Sequence, residues 1–297
     1  MEYYYDSILD TYFYADEISK KNVNIISMLI DTEEILKIGL DLAGWKKLPQ
    51  DSAIHVKGRN IKKVLIAVDV TTAELMLAKN LECDAVIGHH PIGTAVLNFY
   101  KVFDRHVDYM IENGVPKDLA EDAVKKLKFR SEIRSHATIY NHVIDAAKIL
   151  KMPLVNVHQP CDEYMRKIIY NNIKSARPKY VLDIVKSLER IPEFRKAATK
   201  IKVCYGSTKN KAARWVLVVA AGTNGGFSVA KQYFQHGIST VIYLHIDYSD
   251  LMRMYEEKLK GNLVVLGHLA GDSIGLNALA RRLEDIGIET VRIGIIV

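Results

Sequence analysis

Two short apolar runs with a helical segment between them restrict the fold of this chain more than any other feature. Val64 to Val68 and Ala85 to Ile87 show no alternation of apolar and polar residues, which is typical of strands covered on both faces, as in a parallel sheet. Ala73 to Leu81 is predicted to be a helix, which Thr71 or Thr72 can cap. Strand, helix and strand in close succession predict a βαβ unit with a right-handed crossover.

The second of these strands runs out into two adjacent histidines, His89 and His90. Gly88 allows the backbone to turn sharply at the strand end, and Pro91 stops the hydrogen-bond ladder because it has no N–H. In open α/β sheets, ligands bind beyond the carboxyl ends of the strands. The two histidines are therefore predicted to lie in a ligand site, where they can bind two different metal ions.

The rest of the chain also favours an α/β fold. Residues 1 to about 42 predict two helices, Val96 to Leu150 is mostly helical, and the second half alternates strands and helices. Pro178 interrupts this pattern and is the best candidate for a boundary. We expect two lobes of mostly parallel sheet flanked by helices, residues 1–178 and 179–297, with the functional site between them.

Composition excludes several classes of protein. The apolar fraction of 49% and the charged fraction of 26% are those of an ordinary globular protein. The chain has no apolar run of membrane-spanning length, and its acidic, aromatic beginning does not resemble a secretion signal, so we expect a cytoplasmic protein. The three cysteines are far apart and indicate no disulfide framework. The net charge of +6 is dispersed, without the basic stripe expected for nucleic-acid binding.

Two further predicted strand ends carry a similar chemistry. His158 follows a short apolar run and precedes Asp162 by four positions, and His268 precedes Asp272 in the same way. Residues four apart lie on one face of a helix, so each histidine and its aspartate can approach one metal centre. A carboxylate near a helix N-terminus is also stabilised by the helix dipole.

The combined donors are four imidazoles and two carboxylates. This mixture suits zinc, manganese, iron or nickel better than calcium or magnesium, which prefer oxygen ligands. Six donors are more than one tetrahedral ion needs, whereas two ions about 3.5–4 Å apart, bridged by a carboxylate and a water, fit the number better. A single histidine at a strand end is more often a cap or a surface residue, and only the recurrence of the motif favours a metal site.

Other residues are candidates for the surroundings of this site. Gly222, Thr223 and Asn224 lie in a glycine-rich loop, where backbone N–H groups can bind a phosphate, although a plain tight turn is the commoner role of such a loop. Asp69 ends a strand beside the His-His strand and either orients a ligand imidazole or caps the next helix. His245 matches no ligand motif and is interpreted as structural.

Three segments resemble one known family, the NIF-three-like family, also called the GTP cyclohydrolase I type 2 family. Its opening signature is similar to VLIAVDVTTAELMLAKNLECDAVIGHHPIG, its His-x-x-x-Asp motif to HQPCD, and its C-terminal GH-x-x-x-Glu motif to GHLAGDSIGLNALARRL. The resemblance implies a two-lobed α/β fold, a toroidal homohexamer and a dinuclear metal centre in each subunit. Carried over by position, it implies the ligands His89, His90, His158, Asp162, His268 and Asp272. Asp272 stands where the family usually has a bridging Glu, which is one methylene longer.

Two functions of different classes follow from these patterns. The first is a metal-dependent hydrolase, in which a water between two ions attacks a nucleotide or another small phosphorylated substrate. The second is a non-catalytic metal-binding scaffold or regulatory interaction protein. An open coordination position facing a pocket favours the enzyme, whereas a closed site favours the scaffold. The helical stretch from Thr94 to Leu150 is longer than the usual family spacing and is interpreted as a lid or an added interface.

Overall fold

The computed structural model describes residues 29–219 and 223–297 of the chain. The first of the two helices predicted before residue 42 and the loop residue Gly222 lie outside these ranges, so their predictions stay untested. Within the described residues the predicted class is confirmed, because the chain forms two mostly parallel sheets flanked by helices.

The helices are α1 (Thr32–Ala43), α2 (Thr72–Asn80), α3 (Thr94–Asn98), α4 (Asp104–Glu112), α5 (Lys117–His136), α6 (His142–Leu150), α7 (Gln159–Ala176), α8 (Val181–Leu188), α9 (Pro192–Lys196), α10 (Gly226–Gln235), α11 (Tyr248–Glu256) and α12 (His268–Asp285), with a 3₁₀ helix at Phe99–Phe103. Of the helices in the described ranges, none is both long and apolar enough to cross a bilayer.

The strands are β1 (Ala53–Val56), β2 (Lys63–Ala67), β3 (Ala85–Gly88), β4 (Leu154–Asn156), β5 (Lys202–Tyr205), β6 (Trp215–Leu217), β7 (Thr240–Tyr243), β8 (Asn262–Val265) and β9 (Glu289–Ile293). The first sheet has the order β1-β4-β3-β2-β9 and the second has the order β5-β8-β7-β6. Each sheet is parallel except at one edge, where β1 and β5 pair antiparallel with their neighbours. The predicted βαβ unit is confirmed as β2-α2-β3, with Val64 opposite Ala85 in a parallel pair.

The first sheet is covered on both faces, which explains its continuous apolar strands. Val64 and Ile66 face the core formed with α1 and α12, whereas Leu65 and Ala67 face the core formed with α2 and α6. Successive side chains of a strand point to opposite faces, so a strand between two helical layers needs apolar residues at every position.

Two segments make contacts across the lobe boundary predicted at residue 178. That boundary stays a prediction. Strand β9, near the C-terminus, pairs with β2 in the first sheet. Conversely, Val102, Met110 and Val124 from the N-terminal half share one core with Val216 and other residues of the second sheet. The C-terminal half therefore adds a strand to the first sheet, and the N-terminal half adds side chains to the core of the second.

Helices α7 and α12 pack against each other without side chains between them at one point. A Cβ atom at Gly275 would lie 2.4 Å from the carbonyl oxygen of Cys161, closer than atoms can approach. Glycine is therefore required where α12 crosses α7. Asp162 lies in the first turn of α7 and Asp272 just after the first turn of α12, so the crossing helps to set the distance between the two carboxylates.

We expect Gly275→Ala to destabilise the fold by roughly 1–3 kcal/mol, because the new methyl group overpacks against immobile backbone. Gly271→Ala is the matched control on the same helix, since its methyl group would meet the end of the Leu244 side chain at 2.7 Å rather than backbone. Urea unfolding measures both variants. Equal midpoints for the two would contradict the close backbone crossing.

Candidate metal centre

The structure brings all six predicted ligands together at the ends of strands from both sheets. They lie just after β3, at the start of α7 and at the start of α12: His89 and His90, His158 and Asp162, and His268 and Asp272. Within each of three overlapping groups of these residues, the potential ligand atoms lie within 4.8 Å of one another. The strand-end positions thus converge as the parallel topology predicts.

Asp272 lies between three imidazoles. Its Oδ1 is 3.7 Å from Nε2 of His89, and its Oδ2 is 3.4 Å from Nε2 of His90 and 3.3 Å from Nε2 of His268. Asp162 faces the other side of the cluster, with Oδ1 3.3 Å from Nε2 of His89 and Oδ2 3.4 Å from Nε2 of His158. These separations exceed the 2.7–2.9 Å of a charge-assisted hydrogen bond.

Several buried polar atoms of the cluster lack hydrogen-bond partners among the described residues. They are both carboxylate oxygens of Asp162, Oδ1 of Asp272 and Nε2 of His89. Buried polar atoms are almost always satisfied in proteins, so a group of orphaned oxygen and nitrogen atoms facing one another needs an explanation. A cation that accepts all these lone pairs would satisfy them together, so the residues fit a metal site.

Three of the imidazoles are oriented by hydrogen bonds on their outer side. Nδ1 of His89 donates to the carbonyl oxygen of Val157 at 3.1 Å. Nδ1 of His90 lies 2.7 Å from Oδ1 of Asp69, and Nδ1 of His158 lies 2.6 Å from Oδ2 of Asp51. A proton on Nδ1 leaves the lone pair of Nε2 for a metal ion, and such outer partners hold the ring in place.

The structure separates the two interpretations of Asp69. The N-cap of α2 is Thr71, which forms a capping box with Glu74. The carboxylate of Asp69 meets His90 instead. Asp51 was missed by sequence reasoning because it lies in a segment without periodicity or motif, yet it is fully buried against His158. No signal in its local sequence distinguishes it from other loop aspartates.

The carboxylates and imidazoles of the cluster strongly perturb one another. Burial lowers the pKa of His90, but the carboxylates of Asp272 and Asp69 outweigh burial and raise this pKa to about 9. The two buried aspartates likewise raise the pKa of His89 against the effect of burial. Burial would raise the pKa of Asp272, but the neighbouring imidazoles hold this pKa well below its ordinary value. A metal ion must displace protons from these histidines, so its binding depends on pH.

A cavity of about 370 Å³ opens beside the cluster. His90 and His268 have side chains that are 27% and 41% exposed, whereas His89 and Asp162 are buried, so the cluster is accessible from one end. Residues outside the cluster that line the cavity include Val96, Phe99, Phe103, Thr223, Asn224 and His245, together with one face of α5. The volume lies within the range of small-molecule sites.

Asn224 fixes the tautomer of a neutral His245. The backbone N–H of Gly226 donates to Oδ1 of Asn224 at 2.8 Å, which turns the amide Nδ2 toward His245. Nδ2 then donates to Nδ1 of His245 at 3.0 Å, so a neutral His245 carries its proton on Nε2. The ring of His245 lies 4.8 Å from that of His268, in the cavity wall. His245 therefore belongs to the site, although no motif pointed to it.

The glycine-rich loop is organised as a turn in its described part. The N–H of Gly226 is already taken by Asn224 and is therefore not available to a phosphate. Thr223 is also engaged, since its Oγ1 lies 2.9 Å from Nε2 of the buried His106. Thr223 and Asn224 both line the cavity. Their side chains also hold the loop in place through the hydrogen bonds described above.

Comparison with solved structures gives a match over most of the chain. A NIF3 superfamily protein from Sphaerobacter thermophilus is 40% identical and superposes with a TM-score of 0.87, over 89% of this chain and 98% of that protein. Reduced HcgD from Methanocaldococcus jannaschii is 15% identical with a TM-score of 0.54, over 89% and 98% of the two chains, and shows the similarity of fold alone. No protein-family model and no curated protein matches the sequence.

Proposed function

Because this chain belongs to the NIF3 superfamily, we propose that its histidine–aspartate cluster is the dinuclear metal centre of a hydrolase that acts on a nucleotide or another small phosphorylated molecule. The family assignment confirms the resemblance seen in the sequence. The observation that supports the proposal most is the group of orphaned buried oxygen and nitrogen atoms, which is accessible from a cavity at its His90 and His268 end.

The arrangement of donors supports two ions rather than one. One ion would be held by His89, His158 and Asp162, and the other by His90 and His268. Asp272 would join both, because its Oδ1 faces His89 and its Oδ2 faces His90 and His268. These directions support a bridging role for Asp272, although its side chain is shorter than that of glutamate.

The metal ions and the protein contribute different parts of the chemistry. Two divalent transition-metal ions (zinc, manganese, iron or nickel) would bring the pKa of a water molecule near neutrality and so supply a nucleophile. The protein holds the imidazoles with Nε2 inward through Val157, Asp51 and Asp69. His245, with its proton on Nε2, would donate a hydrogen bond to an oxygen of the substrate.

The alternative function is a non-catalytic metal-binding scaffold or regulatory partner. The partial exposure of His90 and His268 to a cavity favours the enzyme, because structural metal sites are closed by protein ligands. Helix α5, in the added helical stretch, lines this cavity. A lid and an added interface both remain predictions for that stretch. The toroidal homohexamer and the cytoplasmic location remain predictions.

We expect the purified protein to contain about two transition-metal ions per chain and to hydrolyse at least one nucleotide or phosphoester. A chelator should abolish hydrolysis, and the added metal should restore it. Metal uptake should decrease as the pH falls below about 9, because protons compete with the metal for His90, whose pKa is about 9, and for His89, whose pKa is also raised. Elemental analysis and a hydrolysis screen measure these outcomes. Metal without turnover would favour the scaffold, and a protein that binds no transition metal would contradict both functions.

A further inference from the structure

One face of α5 forms a wall of the cavity beside the metal centre. The residues that contribute to this wall recur at helical spacing, continuing just beyond the end of the helix: Leu127, Arg130, Ser131, Arg134, Ser135 and Thr138. We call this set the α5 wall. Positions three and four apart lie on one face of a helix, so these side chains point in a common direction. The α5 wall carries two guanidinium groups and three hydroxyl groups, but no carboxylate.

The two arginines of the α5 wall differ in their partners. Nη2 of Arg130 lies 3.1 Å from Oδ2 of Asp247 and 4.0 Å from Oδ2 of Asp250, so its charge is largely balanced. The guanidinium of Arg134 has no hydrogen bond or ion pair with any residue that the structure describes. A cavity wall thus carries a cation whose charge the described part of the protein does not balance.

Hydroxyl groups flank Arg134 on the same wall. The side chains of Ser131 and Ser135 make no hydrogen bonds within the described ranges, whereas Thr138 donates to the carbonyl oxygen of Arg134 at 3.2 Å. A guanidinium with two free hydroxyls offers several donors, and Asp247, a carboxylate that also lines the cavity, is paired with Arg130 rather than with Arg134. A phosphate, with three oxygens and up to two negative charges, matches these donors better than a carboxylate does.

The cavity also has an apolar, aromatic part. Val96, Phe99 and Phe103 line it, with the rings of Phe99 and Phe103 6.1 Å apart. The ring of Phe99 also lies 5.6 Å from that of His158, so the aromatic surface adjoins the metal ligands. A flat apolar group bound there would lie next to the cluster and would be shielded from water.

We infer that this cavity binds a ligand through a phosphate group on Arg134, Ser131 and Ser135 and a flat apolar part on Phe99 and Phe103. The inference rests on the proposed function, because the cavity adjoins the candidate metal centre. It adds that substrate phosphate is recognised by the α5 wall through groups separate from the six metal ligands. Arg134 is then the main determinant of the preference for phosphorylated over uncharged compounds.

Isothermal titration calorimetry on the full chain, with its metal content left as purified, tests this inference. Phenylphosphonate is a suitable probe because its carbon–phosphorus bond resists hydrolysis, and benzyl alcohol is its uncharged counterpart. Arg134→Gln is expected to weaken phenylphosphonate binding about tenfold, since one charge-assisted interaction is lost, and to leave benzyl alcohol binding unchanged. Lys126→Gln is the matched control, because it removes the same charge from an exposed position of α5 outside the cavity.

The possible outcomes separate this inference from the proposed reaction. Equal affinity of wild type and Arg134→Gln for phenylphosphonate, equal loss in Lys126→Gln, or no binding by wild type would each overturn the phosphate site. Any of these results is compatible with chelator-sensitive hydrolysis of another substrate. A tenfold loss confined to Arg134→Gln in a protein without hydrolytic activity would support the phosphate site and reject the hydrolase.

Discussion

Asp272→Ala is expected to remove at least one metal ion from each chain. The side chain is 1% exposed and its two oxygens face Nε2 atoms of His89, His90 and His268. Alanine removes the carboxylate that would join both ions and with it the negative charge that lies between the three imidazoles. Loss of one partner from a buried charged cluster usually costs several kcal/mol, about 3–5 in comparable cases, so a lower thermal midpoint is also expected.

The comparison of four variants makes this test specific. Asp272→Asn keeps the shape but removes the charge, and it should lose metal as Asp272→Ala does. Asp272→Glu restores a carboxylate with a longer reach and should keep both ions. Asp285→Ala removes an exposed carboxylate from the same helix and should leave metal content unchanged. Elemental analysis of the purified variants measures the outcome, and full metal content in Asp272→Ala would refute the bridging assignment.

Asp51→Asn is expected to weaken metal binding by about 10–100-fold, the range seen when an outer partner of a metal-binding histidine is lost. The carboxylate of Asp51 is fully buried and accepts a hydrogen bond from Nδ1 of His158 at 2.6 Å. Asparagine keeps the shape but loses the charge that holds the proton on Nδ1 and makes Nε2 a stronger donor. Metal titration against a competing chelator measures the change in affinity.

Asp69→Asn provides the matched comparison for Asp51→Asn. Asp69 makes the same kind of hydrogen bond to Nδ1 of His90, at 2.7 Å, but its side chain is 76% exposed. Water can replace an exposed partner, so Asp69→Asn should have a clearly smaller effect than Asp51→Asn. An equal or larger effect at Asp69 would contradict the view that burial of the outer carboxylate controls the affinity.

Rules that use only neighbouring residues are sufficient to predict the direction of side chains that repeat a pattern. His158 and Asp162, like His268 and Asp272, are four apart and follow apolar strands, so their common direction can be inferred without coordinates. The continuous apolar run from Val64 is typical of a strand covered on both faces, and the structure has it there. Backbone geometry alone determines these relations, and the structure places the residues accordingly.

Such local rules do not predict the roles of residues whose partners are far away in the sequence. Asp69 had two equally reasonable roles in the sequence, and only the capping of α2 by Thr71 separates them. His245 gains its place from Asn224 and His268, which lie on different elements. The residues of the α5 wall have helical spacing, but the sequence does not show that they face a cavity rather than solvent.

The sequence by itself determined the class of fold, the βαβ unit and the three strand-end motifs, because each depends on residues close together in the chain. Only the tertiary structure decided that β9 joins the first sheet, that Asp51 is buried against His158 and that Arg134 faces the metal centre's cavity. These contacts join residues far apart in the chain. Their free energies depend on the packing of the whole molecule, which no local pattern encodes.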